Sequence, residues 1–378
     1  MSGPTPSSPS RRSTLTHPSP SMVGGAVLLF YVLFALAALW RHGGDPLWFV
    51  WIGERFDQLD PEGRRGYDGQ FAFYIAREGW SAIAHLDQPA YRMQRIAYPA
   101  LVGGLSLGHL SVIPWVMIVV NLLAIALTTF LLAQWLSASG LSGWYALLYA
   151  LSVGTLVALS RDLTEPLALA FVTAGVVLWL RKAHAAAVLP LALALLTKET
   201  TLLFVLGLAM ATLMQRRARL WSYLALAALP LALWELFLWS QLGEIPLVSG
   251  PSISLLPLQG ILSQLTTDPG RVSAFVFAGL LGVVGLALGS IRLWYERGRS
   301  SIGWWLLLNS LFVLLMPASS YDHIVHAGRN ASGLVLSLVF VLPALGPRLR
   351  LAFLLSCLAP TALWLVPVLR WAPWLSEV

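Results

Sequence analysis

Apolar stretches of about 15 to 25 residues recur from Gly24 almost to the C-terminus. In hydrocarbon such stretches satisfy their backbone N–H and C=O groups only as helices. Composition agrees: of 378 residues 57% are hydrophobic and 11% charged, with a mean hydropathy of +0.74, where soluble domains carry about 25% charged residues. An all-α, polytopic integral membrane protein in contact with the lipid bilayer is therefore expected.

The net charge of +7 raises the question of a nucleic-acid partner. The basic residues fall instead in short clusters between apolar runs, which is how membrane topology is encoded, so no nucleic acid is expected. Trp40, Trp48, Trp51, Trp80, Trp371 and Trp374 lie near the ends of apolar runs and read as interfacial anchors. Cys357 is the single cysteine and sits inside an apolar run, so no intrachain disulfide can form, and it reads as a small core residue. Residues 1–22, rich in Ser and Pro with Arg11 and Arg12, read as a disordered cytoplasmic tail. The run 24–40 has small residues near its end like a signal peptide, but it exceeds the usual apolar core of about 7 to 15 residues, so a retained first span is expected.

Lysine and arginine near span ends favour the cytoplasm. Arg11 and Arg12, Arg181 and Lys182, Arg216 to Arg219, Arg292 to Arg299, and Arg348 with Arg350 are accordingly placed inside. Five crossings by 24–40, 96–110, 112–136, 142–160 and 165–181 would put Arg181 outside. The weakest run, 96–110, is short and contains Pro99, Gly103, Gly104 and Gly108, so it is assigned to the outer face as part of a first outer loop 41–111. About eleven spans remain in one transmembrane domain, 23–378. The loop 41–95 then shares the outer face with the turns at 160–166, 197–200 and 321–329.

These segments hold the polar chemistry. Gly66-Tyr67-Asp68-Gly69-Gln70 precedes Phe71-Ala72-Phe73-Tyr74-Ile75-Ala76-Arg77, an aromatic stretch expected to lie as an interfacial helix. Arg92 and Arg95 are spaced i, i+3, so on a helix they share one face, and paired guanidiniums suit a phosphate; the alternatives are headgroup snorkelling and pairing with Asp87. Arg161-Asp162-Leu163-Thr164-Glu165-Pro166 and Thr197-Lys198-Glu199-Thr200 place charges between closely spaced spans, which marks a functional site unless neighbours simply neutralise each other. Glu235 lies inside an apolar run as a buried candidate or a structural partner. Asp322, His323 and His326 offer a weak set of metal ligands, so no cofactor is required and a divalent metal is the one these residues leave open; Arg329 suits an anion better. No nucleotide-binding glycine motif occurs.

Tyr67-Asp68-Gly69-Gln70 with Phe73-Tyr74-Ile75-Ala76, then Pro89-Ala90-Tyr91-Arg92 and Gln94-Arg95, resemble the first outer loop of bacterial GT-C type glycosyltransferases. Asp162-Leu163-Thr164-Glu165-Pro166 and Thr197-Lys198-Glu199-Thr200 also look like signatures of that superfamily, which includes protein mannosyltransferases and aminoarabinose transferases. The resemblance is strongest over 66–100 and weak beyond about 220, and the chain departs from it in lacking an obvious soluble C-terminal domain. It implies transfer of a sugar from a polyprenyl-phosphate donor to an extracytoplasmic lipid, glycan or protein acceptor, with inversion, in a bacterial inner membrane with the active site facing outward. Asp68 matches the catalytic acidic residue. Arg92 and Arg95, joined by Lys198 and Arg329, are the donor-phosphate candidates. Tyr67, Gln70, Arg161, Asp162, Glu165, Glu199, His323 and His326 are the supporting or acceptor-binding candidates. A flippase or transporter of lipid-linked sugars, or a surface-polysaccharide polymerase or ligase, is the alternative.

Overall fold

The computed structural model describes residues 18–250 and 275–370, with 254, 256–260 and 262–263 between them, and only the backbone of 275–276, 357, 359–361 and 363–370. The expectations for residues 1–17, for most of 251–274, for the side chain of Cys357 and for Trp371 and Trp374 lie outside this description. The described residues form helices and turns, with no strand among them.

Four helices are long and apolar enough to cross a membrane: Pro20–Arg41 (α1), Leu110–Ala138, Ala218–Leu242 and Phe277–Tyr295. Within the second and third, the α-helical parts are Ile113–Ala138 (α2) and Trp221–Leu242. Two bent pairs bring the number to six: Gly143–Ala150 with Val153–Ser160 (α3), bent by 57°, and Ile324–Asn330 (α7) with Ser332–Ala344, bent by 52°. The first helix begins inside the stretch expected to be a disordered tail, because Ser19 caps it by accepting from the Met22 amide and Pro20 is preset for the first turn.

Glu165–Leu180 (α4), His184–Thr197 (α5), Glu199–Met214 (α6, with a 3₁₀ first turn) and Ser301–Leu314 are apolar but only 10–17 residues long. At 1.5 Å per residue the longest covers about 24 Å, less than the roughly 30 Å of hydrocarbon. The nine-residue helix Ala97–Leu105 is far too short to cross.

Large apolar faces stay uncovered. Leu29, Leu33 and Leu36 on α1 and Leu226, Leu229, Leu233 and Leu236 on the helix Trp221–Leu242 are exposed at helical spacing. Faces of this size are aggregation-prone in water but suited to lipid tails. The interior is held by close contacts: a Cβ added at Gly154 on α3 would meet the Gly328 carbonyl of α7 at 2.3 Å, so glycine is what lets these two helices approach.

The loop 41–95 is not a solvated linker. Phe71, Phe73, Tyr74, Ile75, Leu86, Met93, Tyr98 and Val102 form a second apolar core with Met117 and Ala124 of α2, Leu167 and Ala170 of α4, and Leu238. The helix Gly69–Glu78, expected at the membrane surface, has every residue from Gly69 to Ile75 buried. It packs inward because α2 and α4 supply an apolar core to receive Phe71, Phe73, Tyr74 and Ile75.

The basic turns sit at the opposite end of the bundle. Residues 181–182 follow α4, 215–219 follow α6 and 296–300 follow Leu280–Tyr295, while the Gln215 amide donates to the Arg299 carbonyl at 2.8 Å and ties two of these turns together.

Candidate functional site

Five segments distant in sequence meet at the other end: the start of Gly69–Glu78, the short helix Pro89–Met93, the α3–α4 turn, the α5–α6 turn and α7. A small cavity there of about 20 Å³ is lined by Asp68, Arg92, Arg95, Asp162, Glu165 and Arg329, among others. A second of about 30 Å³ lies against Glu165, Lys198 and Arg329.

Local sequence explains the approach. A Cβ at Gly69 would lie 2.1 Å from the Arg161 carbonyl oxygen, so only glycine lets the helix after Asp68 rest on the α3–α4 turn. Asp68 occupies the N-cap position, but its carboxylate makes no capping bond. It faces the cluster. Asp162 adopts a left-handed backbone with φ of 45°, tolerable for aspartate, and this reverses the chain between α3 and α4. Glu165 opens α4, where the positive end of the helix dipole favours its charge.

The ion pairs run between segments, not between sequence neighbours. Arg329 reaches Asp68 Oδ2 at 2.6 Å and also binds Glu165. Arg92 meets Asp68 Oδ2 at 3.2 Å and clasps Asp87 with its Nε and Nη2 at 2.7 and 2.8 Å. Arg95 clasps Glu199 at 2.6 and 2.8 Å and donates to the Tyr91 hydroxyl. Lys198 Nζ lies 3.0 Å from Glu165 Oε1. Four cations, Arg92, Arg95, Lys198 and Arg329, are thus matched by Asp68, Asp87, Glu165 and Glu199. Burial makes this matching necessary, because an unpaired charge in a dry site is strongly destabilising.

Two expectations are corrected here. Arg92 and Arg95 do not share a helical face, since the helix Pro89–Met93 ends before Arg95 and the two guanidiniums take different carboxylates. Sequence neighbours do not pair: Lys198 meets Glu165, Glu199 meets Arg95, Arg161 lies against the Trp51 ring, and Asp162 accepts from Asn121.

The carboxylates differ in state. Burial alone would push the Asp68 carboxyl up, but Arg329, Arg92 and Arg95 outweigh it and hold it well below the usual carboxylate range. Asp162 is fully buried, its Oδ1 accepting from Asn121 Nδ2 at 3.3 Å and its Oδ2 without a hydrogen-bond partner among the described residues. Burial pushes that carboxyl well above its ordinary value. Within one cavity the surroundings thus favour the charge on Asp68 and disfavour it on Asp162. Burial and the neighbouring Arg95 pull the Lys198 ammonium down to about 8, against the opposing pull of Glu165.

Other expected residues take lesser places. Gln70 is fully buried but turned away, accepting from the Gly53 amide at 3.0 Å and donating to the Arg65 carbonyl at 2.7 Å, so it closes the 53–66 loop. Tyr67 is a wall of the site, with its ring 5.6 Å from the Arg329 guanidinium and 5.7 Å from the His326 ring. His326 pairs with Asp322 at 2.6 Å, whereas His323 Nδ1 accepts from the Val325 amide and caps α7. No group of three or more metal-ligating side chains converges among the described residues. Glu235 lines neither of the two cavities and accepts from the Leu247 amide.

Tyr91, Asn121 and Trp51 are participants that sequence reasoning did not assign. Asn121 carried a signal, as an amide in the midst of the apolar run Ile113 to Leu127 of α2. Trp51, read as a membrane anchor, instead lies under the Arg161 guanidinium at 3.9 Å.

No family model matches the chain, and neither the curated proteins nor the solved structures contain a match.

The buried pairs predict a steep thermodynamic coupling. Arg95→Ala leaves Glu199 without its cation and is expected to cost about 3 to 5 kcal/mol. Arg95→Ala with Glu199→Ala should cost less than the sum of the two single changes, as read from the melting of purified protein in detergent; strict additivity would mean that the pair is not coupled.

Proposed function

We propose that the protein is a membrane glycosyltransferase of GT-C type that moves a sugar from a polyprenyl-phosphate donor to an acceptor hydroxyl, with inversion and with Asp68 as base. One observation carries this reading. An ionised carboxylate is held directly between two arginines, Arg92 and Arg329, in a recess at the end of the apolar bundle opposite the basic turns. Basic turns favour the cytoplasm, so this reading places the recess outside, with about eleven crossings if the short helices are counted as spans.

The chemistry follows from these groups. The acceptor oxygen forms a bond to the anomeric carbon as that carbon's bond to the phosphate oxygen breaks, and the departing polyprenyl phosphate takes the electron pair. The acceptor proton goes to Asp68, and the new negative charge on the phosphate is met by arginine. A single displacement inverts the anomeric centre.

The resting pairs add a condition. The cavities beside the intact ion pairs are narrow, about 20 and 30 Å³. On this reading a donor phosphate draws Arg92 or Arg329 away from its carboxylate. In doing so it removes the cations that hold Asp68 acidic, so arrival of the donor makes Asp68 a stronger base. Arg95 and Lys198 stand close enough to join the same anion, while Glu165 and Glu199 hold the cations in place when the donor has left.

The bent pairs favour a second reading, in which the chain carries lipid-linked sugars across the membrane without transferring them. Broken helices beside a charged site are a device of transporters, and α3 and α7 both belong to such pairs. Formation of a glycosylated acceptor separates the two.

Purified protein in lipid with radiolabelled polyprenyl-phosphate sugars is expected to turn over, and Asp68→Asn should lower turnover about 10²- to 10⁴-fold with expression and monodispersity intact. Near-normal transfer by Asp68→Asn would remove Asp68 as the base. Because Lys198 binds phosphate only when protonated, kcat/KM for the donor should fall as pH rises through about 8, and Lys198→Arg should move that fall to higher pH. An unchanged pH profile in Lys198→Arg would take Lys198 out of donor binding.

A further inference from the structure

Beside the cluster lies a much larger chamber, about 720 Å³, between the end of α1, the turn Leu47–Val50 and the outer side of Gly69–Glu78. That volume fits a ligand of several rings, in contrast with the small cavities at Asp68. Trp48, Trp51 and Phe73 supply its apolar walls, and Arg161 projects into it from the α3–α4 turn.

Arg161 is the unbalanced charge of this region. Its residue is 4% exposed, its Nη1 donates to the adjacent Ser160 carbonyl at 2.9 Å, and its guanidinium lies 3.9 Å from the Trp51 ring centre and 5.3 Å from that of Trp48. No carboxylate pairs with it among the described residues, and burial accordingly pulls it below its ordinary value. The other charges lining the chamber are engaged: Arg64 with Glu54, Arg77 with Glu78, Asp57 with the Tyr74 hydroxyl and Asp45 with the Leu47 amide. A buried guanidinium whose neighbours are aromatic faces has most of its five donors unused, and a bidentate oxyanion is what they fit.

The chamber adjoins the proposed reaction centre. The Trp51 ring lies 6.4 Å from that of Tyr67, and Tyr67 in turn faces Arg329, so Tyr67 separates the chamber from the arginines around Asp68. The Arg161 carbonyl packs on Gly69, one residue from the carboxylate. A ligand seated on Arg161 therefore lies beside the turn on which Gly69, the neighbour of Asp68, rests.

We propose that this chamber is the acceptor site and that the acceptor is a phosphorylated sugar, its phosphate on Arg161 and its ring against Trp48 or Phe73. This rests on the glycosyltransferase reading, but its test does not require turnover. Binding is measured without donor, to the purified full chain in nanodiscs, in two arms that separate the sources of such a group. One arm uses soluble glucose 1-phosphate with glucose as control. The other uses nanodiscs containing phosphatidylinositol, with phosphatidylcholine alone as control.

Binding in either arm that exceeds its control, weakens by at least about tenfold in Arg161→Gln and is largely kept in Arg161→Lys supports the proposal, tenfold being the size expected for loss of a charged hydrogen-bonding group. Because Arg161→Gln can disturb folding, Trp48→Ala, which changes only a wall, is expected to weaken the same binding. The proposal is overturned if neither probe exceeds its control, or if Arg161→Gln and Trp48→Ala both bind like the unsubstituted protein. Absence of sugar transfer with every donor, with this binding intact, would count against the glycosyltransferase reading alone.

Discussion

Arg329 is shared by two carboxylates, Asp68 from the outer loop and Glu165 from the start of α4. Neither carboxylate is tolerable in a water-poor site without a cation, and Arg329 reaches both only because Gly328, its neighbour, lets α7 close on Gly154 of α3. From this shared pair the network extends through Glu165 to Lys198, and through Asp68 to Arg92 and Asp87. Loop, turns and helix α7 are thereby fixed relative to one another by charge as well as by apolar packing.

The same constraint accounts for the unequal helix lengths. Asp162 bonds Asn121, which lies eight residues into α2, or about 12 Å from that helix's first residue. The polar cluster is thus sunk well below the end of the longest helix. α4, α5 and α6 meet the cluster with their ends, so they stop short where the charges begin. The second apolar core, built by Phe71, Phe73, Tyr74 and Met93, covers the recess from the outer side and keeps it poor in water. Low polarity in turn strengthens every ion pair within it.

The helical class and the identity of the charged turns were legible in the sequence because both are local properties. A run of apolar residues declares a helix, and Arg161-Asp162 or Lys198-Glu199 between two such runs declares an expensive group. Pair partners were not legible. Asp68 and Arg329 are separated by most of the chain, and adjacency left mutual neutralisation of Lys198 and Glu199 open where each pairs elsewhere. The inward packing of Gly69–Glu78 was hidden for a related reason: an aromatic stretch suits a membrane surface and a protein interior equally, and only the core contributed by α2 and α4 decides between them. Trp48 and Trp51 show the same ambiguity, anchors by composition and chamber walls by position.

The central claim is that Asp68 rests between arginines that a donor phosphate takes over. A structure of the protein in lipid nanodiscs with polyprenyl phosphate tests it most directly. The account predicts phosphate bonded to Arg92 or Arg329, with that arginine withdrawn from Asp68. Phosphate bound elsewhere, with both arginines still on Asp68, would contradict it.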